Sequence, residues 1–92
     1  MEIKDTLNKR TNKYGSIADN AKVTQSLMRV IKQSPMYAEL TDVHVESLHM
    51  ICHKIARMVC GDCMYNDNPH DIAGYATLLE EYINEVNNEN SQ

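Results

Sequence analysis

The sequence predicts a single all-α domain built as a four-helix bundle. Apolar residues recur at spacings of three and four in several segments, which is the period of one buried helix face. Gly, Pro and N-capping residues separate these segments. The chain has neither Trp nor Phe, so its core must come from aliphatic residues, Met and the five Tyr residues, which favours helices. The length of 92 residues fits one unit, so residues 1–92 are assigned to one helical domain.

The first helix is predicted from Glu2 to about Lys13, within residues 1–15, where the helical pattern is weakest. Its apolar positions are Ile3 and Leu7, four residues apart. Gly15 then supplies a turn, and the Ser16 side chain is suited to cap the next helix.

The second helix is predicted from Ile17 to Gln33, and Ser34-Pro35 ends it. The connection from Met36 to Leu40 has room for a short helical turn, after which Thr41 is a further N-cap. The predicted buried positions of the second helix are Ile17, Ala21, Thr24, Leu27, Met28 and Ile31.

The third helix, Asp42 to about Cys60, has the clearest pattern, and Gly61 is its expected C-cap. Its predicted buried face comprises Leu48, Ile51, Cys52, Ile55, Met58 and Val59. At 100° per residue the opposite face collects a polar strip of Glu46, His49, His53 and Arg57, with Met50 and Lys54 beside it.

The fourth helix is predicted to start with Asn68 as N-cap and Pro69 at the first helical position. Gly74 would allow a close approach of a neighbouring backbone. Residues 87–92 are polar and are expected to fray. The predicted buried positions are Ile72, Tyr75, Ala76, Leu79, Tyr82, Ile83 and Val86.

Composition narrows the classes of function. The formal net charge is −4 and no block of basic residues occurs, which disfavours non-specific nucleic-acid binding. No apolar run reaches the roughly 20 residues that span a bilayer, and Met1–Arg10 lacks the apolar stretch of a signal peptide. We therefore expect no membrane association and a location in the cytoplasm.

The three cysteines, Cys52, Cys60 and Cys63, leave at least one thiol unpaired, which fits a reducing compartment. Cys60 and Cys63 have CxxC spacing, but neither a second ligand pair nor a preceding strand is visible, so ordinary small side chains at a helix end are favoured. A domain this short hides only roughly two-thirds of its unfolded surface, so we expect a homo-oligomer.

Two clusters of charged residues, one on the third helix and one at the start of the fourth, suggest a site. If the third and fourth helices pack antiparallel, Lys54 and Arg57 approach Asp67 and Asp71. Mg²⁺ prefers carboxylate oxygen, which Glu46, Asp67 and Asp71 would supply. The side chains of Lys54 and Arg57 would hold phosphate oxygens. A metal-bound water would then hydrolyse a phosphoanhydride.

Spacing alone favours an alternative in which Glu46, His49 and His53 are solvated on an exposed strip and Asp71 stabilises a helix start. His49 and His53, four residues apart, also match the spacing of two zinc ligands on one helix. No Glu directly follows His49 as the zincin motif requires, so surface or structural histidines are favoured.

Several stretches together resemble a small phage-encoded family that is itself similar to MazG-like, all-α nucleoside triphosphate pyrophosphohydrolases. The resemblance covers about Lys13 to Leu79. Its most specific part is Asp-x-x-x-Asp-Ile-Ala-Gly-Tyr-Ala, from Asp67 to Ala76. The other stretches are Lys13-Tyr14-Gly15, His53-Lys54-Ile55-Ala56-Arg57 and Gly61-Asp62.

The resemblance implies a MazG-like bundle in which acidic pairs on successive helices bind Mg²⁺ and pyrophosphate is released from a nucleotide. Glu46 matches the first acidic position, and Asp67 and Asp71 match the later pair. His49 stands where a second Glu is expected, and Pro69 replaces an aromatic residue. The acidic cluster is thinned, which weakens catalysis before it weakens phosphate binding.

The hypothesis is a degenerate site that binds a nucleotide or a nucleotide-derived phosphate ligand. In it Glu46 and Asp71 are catalytic, Lys54 and Arg57 bind phosphate, and His49 or His53 contacts the ligand. The rival is a non-enzymatic phage protein that inhibits a host defence or housekeeping protein through its acidic surface and adaptable Met residues.

Overall fold

The computed structural model of the protein describes residues 2–91, and these fold into four α-helices without a strand. Met1 and Gln92 of the predicted domain lie outside the described residues. None of the helices within residues 2–91 is long and apolar enough to span a membrane. The four helices are α1 (Ile3–Tyr14), α2 (Ile17–Lys32), α3 (Asp42–Cys60) and α4 (Asp67–Asn90).

The predicted starts of α2 and α3 are confirmed by their caps. The Ser16 hydroxyl accepts from the backbone N–H of Asp19 at 3.1 Å. Thr41 and His44 form a reciprocal capping box, in which each side chain accepts from the other residue's backbone N–H. The short helical turn predicted between α2 and α3 is present as a 3₁₀ turn at Tyr37–Glu39.

The predicted start of α4 is wrong by two residues. Asn66 occupies the N-cap position, and Asn68 lies inside the first turn with 1% of its surface exposed. Pro69 is thus the third helical residue, where its missing N–H still removes no intrahelical bond. The helix α4 continues to Asn90, through most of the segment 87–92 that the sequence predicts to fray.

The helix α3 is central and packs against both α2 and α4, with α1 making a smaller contact on it. Burial is sparse: the predicted core residues Ile17 and Val59 are 87% and 64% exposed, and the predicted core residues Ala21 and Ala76 are also exposed. Leu48, Ile51 and Ile55 are only half-buried. The residues that are buried are Thr24, Met28, Ser47, Cys52, Ala56 and Asn68.

The molecule is elongated, with extents of 55 × 26 × 23 Å. Its radius of gyration is 16.1 Å, whereas a compact chain of this length has a value of about 12 Å. Its accessible surface is 6800 Å², against about 5,400 Å² for a compact monomer of the same mass. The isolated chain therefore leaves an unusual amount of its surface uncovered.

Two glycines join the turn between α1 and α2 to the end of α3. Gly15 has φ +84°, and a Cβ placed on it would lie 2.5 Å from the Cys60 carbonyl oxygen. A Cβ on Gly61 would collide with the Lys13 backbone, and the neighbouring Asp62 N–H donates to the Lys13 carbonyl at 2.9 Å. Gly61 is thus the predicted C-cap and also the point where two backbones meet.

The close approach predicted at Gly74 is wrong. Nothing lies within 4 Å of the position that its Cβ would occupy. Gly74 instead borders a shallow hollow of about 320 Å³ on α4, together with His70, Asp71, Tyr75 and Leu78.

Candidate functional site

Two of the predicted site residues meet between α3 and α4. The ammonium of Lys54 lies 3.1 Å from a carboxylate oxygen of Asp71. The Lys54 side chain is 12% exposed and that of Asp71 is 41% exposed. Lys54 reaches this carboxylate because α3 and α4 follow each other through a short loop, as the sequence predicts.

Arg57 lies three residues further along α3 and does not join this pair within residues 2–91. Its guanidinium carbon is 4.3 Å from the centroid of the Tyr14 ring, at the end of α1. Stacking on the aromatic face holds the guanidinium without neutralising it. The two predicted phosphate-binding cations therefore have different surroundings, a carboxylate at Lys54 and an aromatic ring at Arg57.

Asp67 belongs to an aromatic cluster instead. The Tyr65 hydroxyl donates to Asp67 Oδ2 at 2.7 Å, and the Tyr65 and Tyr14 ring centroids are 5.8 Å apart. The hydrogen bond to Asp67, followed by the interaction with Tyr14, raises the pKa of Tyr65 above its usual value. Lys13 lies over the Tyr65 ring at 5.2 Å. Asp67 thus helps to tie the start of α4 to the end of α1.

Glu46 and His49 border a separate hollow of about 240 Å³ between α2, the 3₁₀ turn and α3. Eight residues separate Glu46 from Lys54, or about 12 Å along the helix. Within residues 2–91 no three His, Cys, Asp or Glu side chains are grouped closely enough to hold a metal ion. The predicted magnesium ligands Glu46, Asp67 and Asp71 are therefore not gathered at one point of the described chain.

A groove of about 550 Å³ lies between α1, α2 and the end of α3. We call it the α1–α3 groove. Arg57 and His53 of the predicted site line it, together with Arg10 and Tyr14 from α1. Its remaining lining residues are Leu7, Thr11, Gly15, Ser16, Ile17 and Asn20.

The groove carries uncompensated positive charge. The guanidinium carbons of Arg10 and Arg57 lie 5.6 and 4.3 Å from the Tyr14 centroid. Within residues 2–91 neither arginine forms an ion pair with a carboxylate. Burial, and then the charges of Arg57, Lys54 and His49, lower the pKa of His53. His53 is therefore neutral at pH 7, and the positive charge belongs to the two arginines.

Asn20 adds a polar atom with unused bonding capacity. Its amide nitrogen donates to the carbonyls of Tyr14 and Ser16 at 2.6 and 2.8 Å, which fixes the side chain across the turn. Its Oδ1 is buried and has no hydrogen-bond partner. Because this oxygen is closed off from solvent, a ligand in the groove would reach it only if the Asn20 side chain moved.

Reasoning from the sequence missed Arg10 and Tyr14. They are four residues apart on α1, a spacing that places both side chains on one helix face, and Tyr14 precedes the turn at Gly15. An aromatic residue and an arginine next to a required turn are the signal that was available. The sequence alone did not reveal that this face meets Arg57.

The three cysteines are free thiols. Cys52 is buried, and its burial raises the pKa of the thiol, which keeps it protonated and unreactive. Cys60, the last residue of α3, is half-buried, and Cys63, in the loop after α3, is exposed.

Comparison with known proteins identifies the family. No curated protein and no solved structure matches the chain. A family model described as a domain of unknown function (DUF6378) matches residues 2–83, which include the α1–α3 groove and the Lys54–Asp71 pair. Because the match covers most of the sequence, the chain belongs to the DUF6378 family.

Proposed function

We propose that this protein binds a nucleotide or a nucleotide-derived phosphate ligand in the α1–α3 groove. The observation that carries the proposal is the pair of guanidinium groups, Arg10 and Arg57, which are held around Tyr14 with no carboxylate partner among the described residues. Guanidinium forks match the geometry of phosphate oxygens. The volume of about 550 Å³ lies in the range of small-molecule sites.

The groove also offers contacts for the rest of a nucleotide. Phosphate oxygens bind Arg57 and Arg10, and His53 completes the anion site from the next turn of α3. Leu7 and Ile17 supply an apolar wall for a base. In this arrangement Lys54 fixes α4 through Asp71, and Arg57 is the principal phosphate ligand.

Hydrolysis would extend this proposal, and its support is the resemblance to MazG-like pyrophosphohydrolases. Mg²⁺ usually takes only one or two protein carboxylates, while waters and substrate phosphates complete its coordination shell. Asp71 would therefore suffice as the single protein carboxylate once a triphosphate is bound, with Glu46 and Asp67 too far from it to share the ion. Release of pyrophosphate that requires Mg²⁺ and is lost in Asp71→Asn would support this extension, and release unaffected by that change would refute it.

Calorimetric titration tests the binding proposal. Nucleoside mono-, di- and triphosphates and inorganic phosphate are titrated with and without Mg²⁺ into wild type, Arg57→Gln and Asp71→Ala. We expect Arg57→Gln to weaken binding about tenfold or more, because it removes a charged donor pair. The control is Arg29→Gln, since Arg29 is an exposed arginine of α2 that donates only to Ser26. Absence of binding by wild type, or equal losses in both arginine variants, would reject the proposal.

A second candidate function, binding of a host protein, is favoured by two exposed methionines. Met36 and Met64 are 64% and 85% exposed, and Met side chains adapt to varied partner surfaces. We propose as the alternative a phage inhibitor of a host defence or housekeeping protein. This alternative predicts that a pull-down from bacterial lysate recovers one host protein in stoichiometric amount and that the double variant Met36→Lys/Met64→Lys loses it. It also predicts that common nucleotides release no phosphate in the presence of the protein. Retention of that partner by the double variant would contradict it.

A further inference from the structure

The helices α2, α3 and α4 form a single layer. The middle helix, α3, packs against both of the others, and within residues 2–91 α2 and α4 make no extensive contact with each other. Globular domains normally bury the apolar side of a helix between two packed layers. A layer of three helices therefore has two open sides, which accounts for the sparse burial of this chain.

The contacts of α3 show where these open sides lie. Val45 and His49 border the hollow shared with α2, and His44 and Lys54 contact α4. At 100° per residue these two pairs lie about 160° apart around α3. One of the two open sides carries Arg57, on which α1 packs. Within the described chain no helix covers the opposite side.

This uncovered side is apolar on all three helices. At 100° per residue Val30 of α2 and Val59 of α3 fall on it, and they are 66% and 64% exposed. We call this surface the apolar face and define it by two residues from each helix, namely Val23, Val30, Leu48, Val59, Ile72 and Ala76. Arg57 and the α1–α3 groove lie on the other side of the layer.

The two edges of the layer carry opposite charges. Lys22 and Arg29 lie within about 60° of the outer edge of α2, and Glu80 and Glu81 lie as close to that of α4. Asp19 is the exception on α2. The helix α4 has six acidic residues and neither Lys nor Arg. The layer is therefore basic along one edge and acidic along the other.

A second copy of the chain matches both features. With a two-fold axis parallel to α3, the apolar face of each copy covers that of the other, and the basic edge of α2 lies beside the acidic edge of the partner's α4. A two-fold axis across the helices would instead set α4 on α4 and bring the acidic edges together. Like charges in contact disfavour that arrangement. The charges therefore select one orientation of the same chain.

We propose that the apolar face is a dimer interface, in which two copies of the chain pack with the two-fold axis parallel to α3. Such a contact uses the same surface on both copies and is closed, so assembly stops at two chains. The dimer has two packed layers of helices. The α1–α3 groove of each copy faces outward and stays open to a ligand.

The apolar face has the size that such an interface needs. The helix α3, with 19 residues, is about 28 Å long. Three helices spaced about 8–10 Å apart are about 25 Å wide. The face thus extends over about 700 Å², and each partner in a standard interface buries about 800 Å².

Sedimentation velocity over a range of protein concentrations tests the interface. Wild type should reach twice the chain mass of 10.5 kDa. Val59→Glu should raise the dissociation constant about tenfold or more, because the two-fold axis brings the two added carboxylates together. Val30→Glu should weaken the dimer as well, since it places a carboxylate in the apolar face of each copy.

Leu78→Glu is the matched control. Leu78 is 61% exposed and borders the hollow beside Asp71, on the side of α4 away from the apolar face, so this variant should remain dimeric. Circular dichroism of each variant separates loss of the dimer from loss of the helices. A wild type that stays at 10.5 kDa at every concentration would overturn the proposal. So would equal losses in Leu78→Glu and in the two valine variants.

Disulfide cross-linking tests the orientation. Val59→Cys is made in a Cys60→Ser/Cys63→Ser background, where the remaining native thiol, Cys52, is buried. With the axis parallel to α3 the two introduced thiols face each other, so oxidation should link most of the dimer covalently. With the axis across the helices the two thiols would be about 24 Å apart, beyond the reach of a disulfide.

Leu78→Cys in the same background is the control for cross-linking and should stay unlinked. A dimeric Val59→Cys that forms no covalent dimer, or equal cross-linking at both positions, would overturn the proposal. A monomeric wild type whose apolar face captures a different protein would overturn it as well.

Discussion

The contact of α3 with α4 and its contact with α1 use their cations in opposite ways. Between α3 and α4, Lys54 lies 3.1 Å from Asp71 and the two charges compensate each other. Between α3 and α1, Arg57 lies over the Tyr14 ring at 4.3 Å and keeps its charge. An ion pair fixes two helices but leaves little attraction for an anion, whereas an arginine held on an aromatic ring remains available to one. Within residues 2–91, one helix therefore combines a cation that is paired with a carboxylate and a cation that is not.

The largest expected effect comes from separating α1 from α3 at their glycine junction. In Gly61→Ala the new Cβ collides with the Lys13 backbone, and neither backbone is free to move far. We expect the free energy of unfolding to fall by about 1–3 kcal/mol, the usual cost of an added methyl group without space. Urea unfolding at fixed protein concentration measures it. Nucleotide binding should weaken in parallel, because Tyr14 and Arg10 are displaced from Arg57.

Gly74→Ala is the matched control for this substitution. Gly74 is an exposed helical residue with open space around the added Cβ. The free energy of unfolding of the variant should therefore rise by about 0.5–1 kcal/mol, because Ala has a higher helix propensity than Gly. Similar destabilisation by both variants would show that the Gly61 backbone contact is not what joins α1 to α3.

The parts of the structure that the sequence predicted are the local ones. Ser16 and Thr41 each act within three residues of their own position, so their caps were evident from spacing. The start of α4 was missed because Asn66, Asp67 and Asn68 are all good N-caps and Pro69 is tolerated throughout a first turn. The choice among them depends on tertiary packing, which buries Asn68.

In the candidate site too, the sequence predicted the contact between neighbouring helices and missed the contact between distant ones. Lys54 and Asp71 were predicted to approach because a short loop joins their helices, and the structure places them in contact. The contact of Arg57 with Tyr14 joins residues far apart in the sequence and depends on the glycine junction. Helical periodicity does not specify such a contact. Exposure of Ile17 and Val59 was missed for a related reason, since periodicity marks an apolar face without showing what covers it.

A smaller effect is expected from the ion pair. Asp71→Asn removes the partner of Lys54, but the carboxylate is 41% exposed and screened by water. We expect a loss of about 0.5 kcal/mol in the free energy of unfolding, decreasing as salt is added. Urea unfolding at low and high salt measures it. A loss above about 2 kcal/mol would mean that the Lys54–Asp71 pair behaves as a buried ion pair. The contact of α3 with α4 would then contribute as much to stability as its contact with α1.

The smallest expected effect is the pH dependence contributed by His53. Burial and the neighbouring charges of Arg57, Lys54 and His49 lower the pKa of His53 in the folded chain below its ordinary value of 6.5. At pH values between this lowered pKa and 6.5, His53 binds more protons in the unfolded chain than in the folded chain. The contribution of His53 to the free energy of unfolding is therefore complete above pH 6.5 and is lost as the pH falls. His53→Gln should flatten this part of the stability profile.

A phosphate ligand should reverse the shift at His53. An anion at Arg57 offsets the positive charge that disfavours the imidazolium, so binding should raise the pKa of His53 and should strengthen as the pH falls through the range where His53 titrates. NMR titration of the imidazole with and without inorganic phosphate measures this directly. If phosphate binds without moving the His53 pKa, the anion lies away from the α1–α3 groove. The contrast between Arg57 and Lys54 would then not determine where this protein holds its ligand.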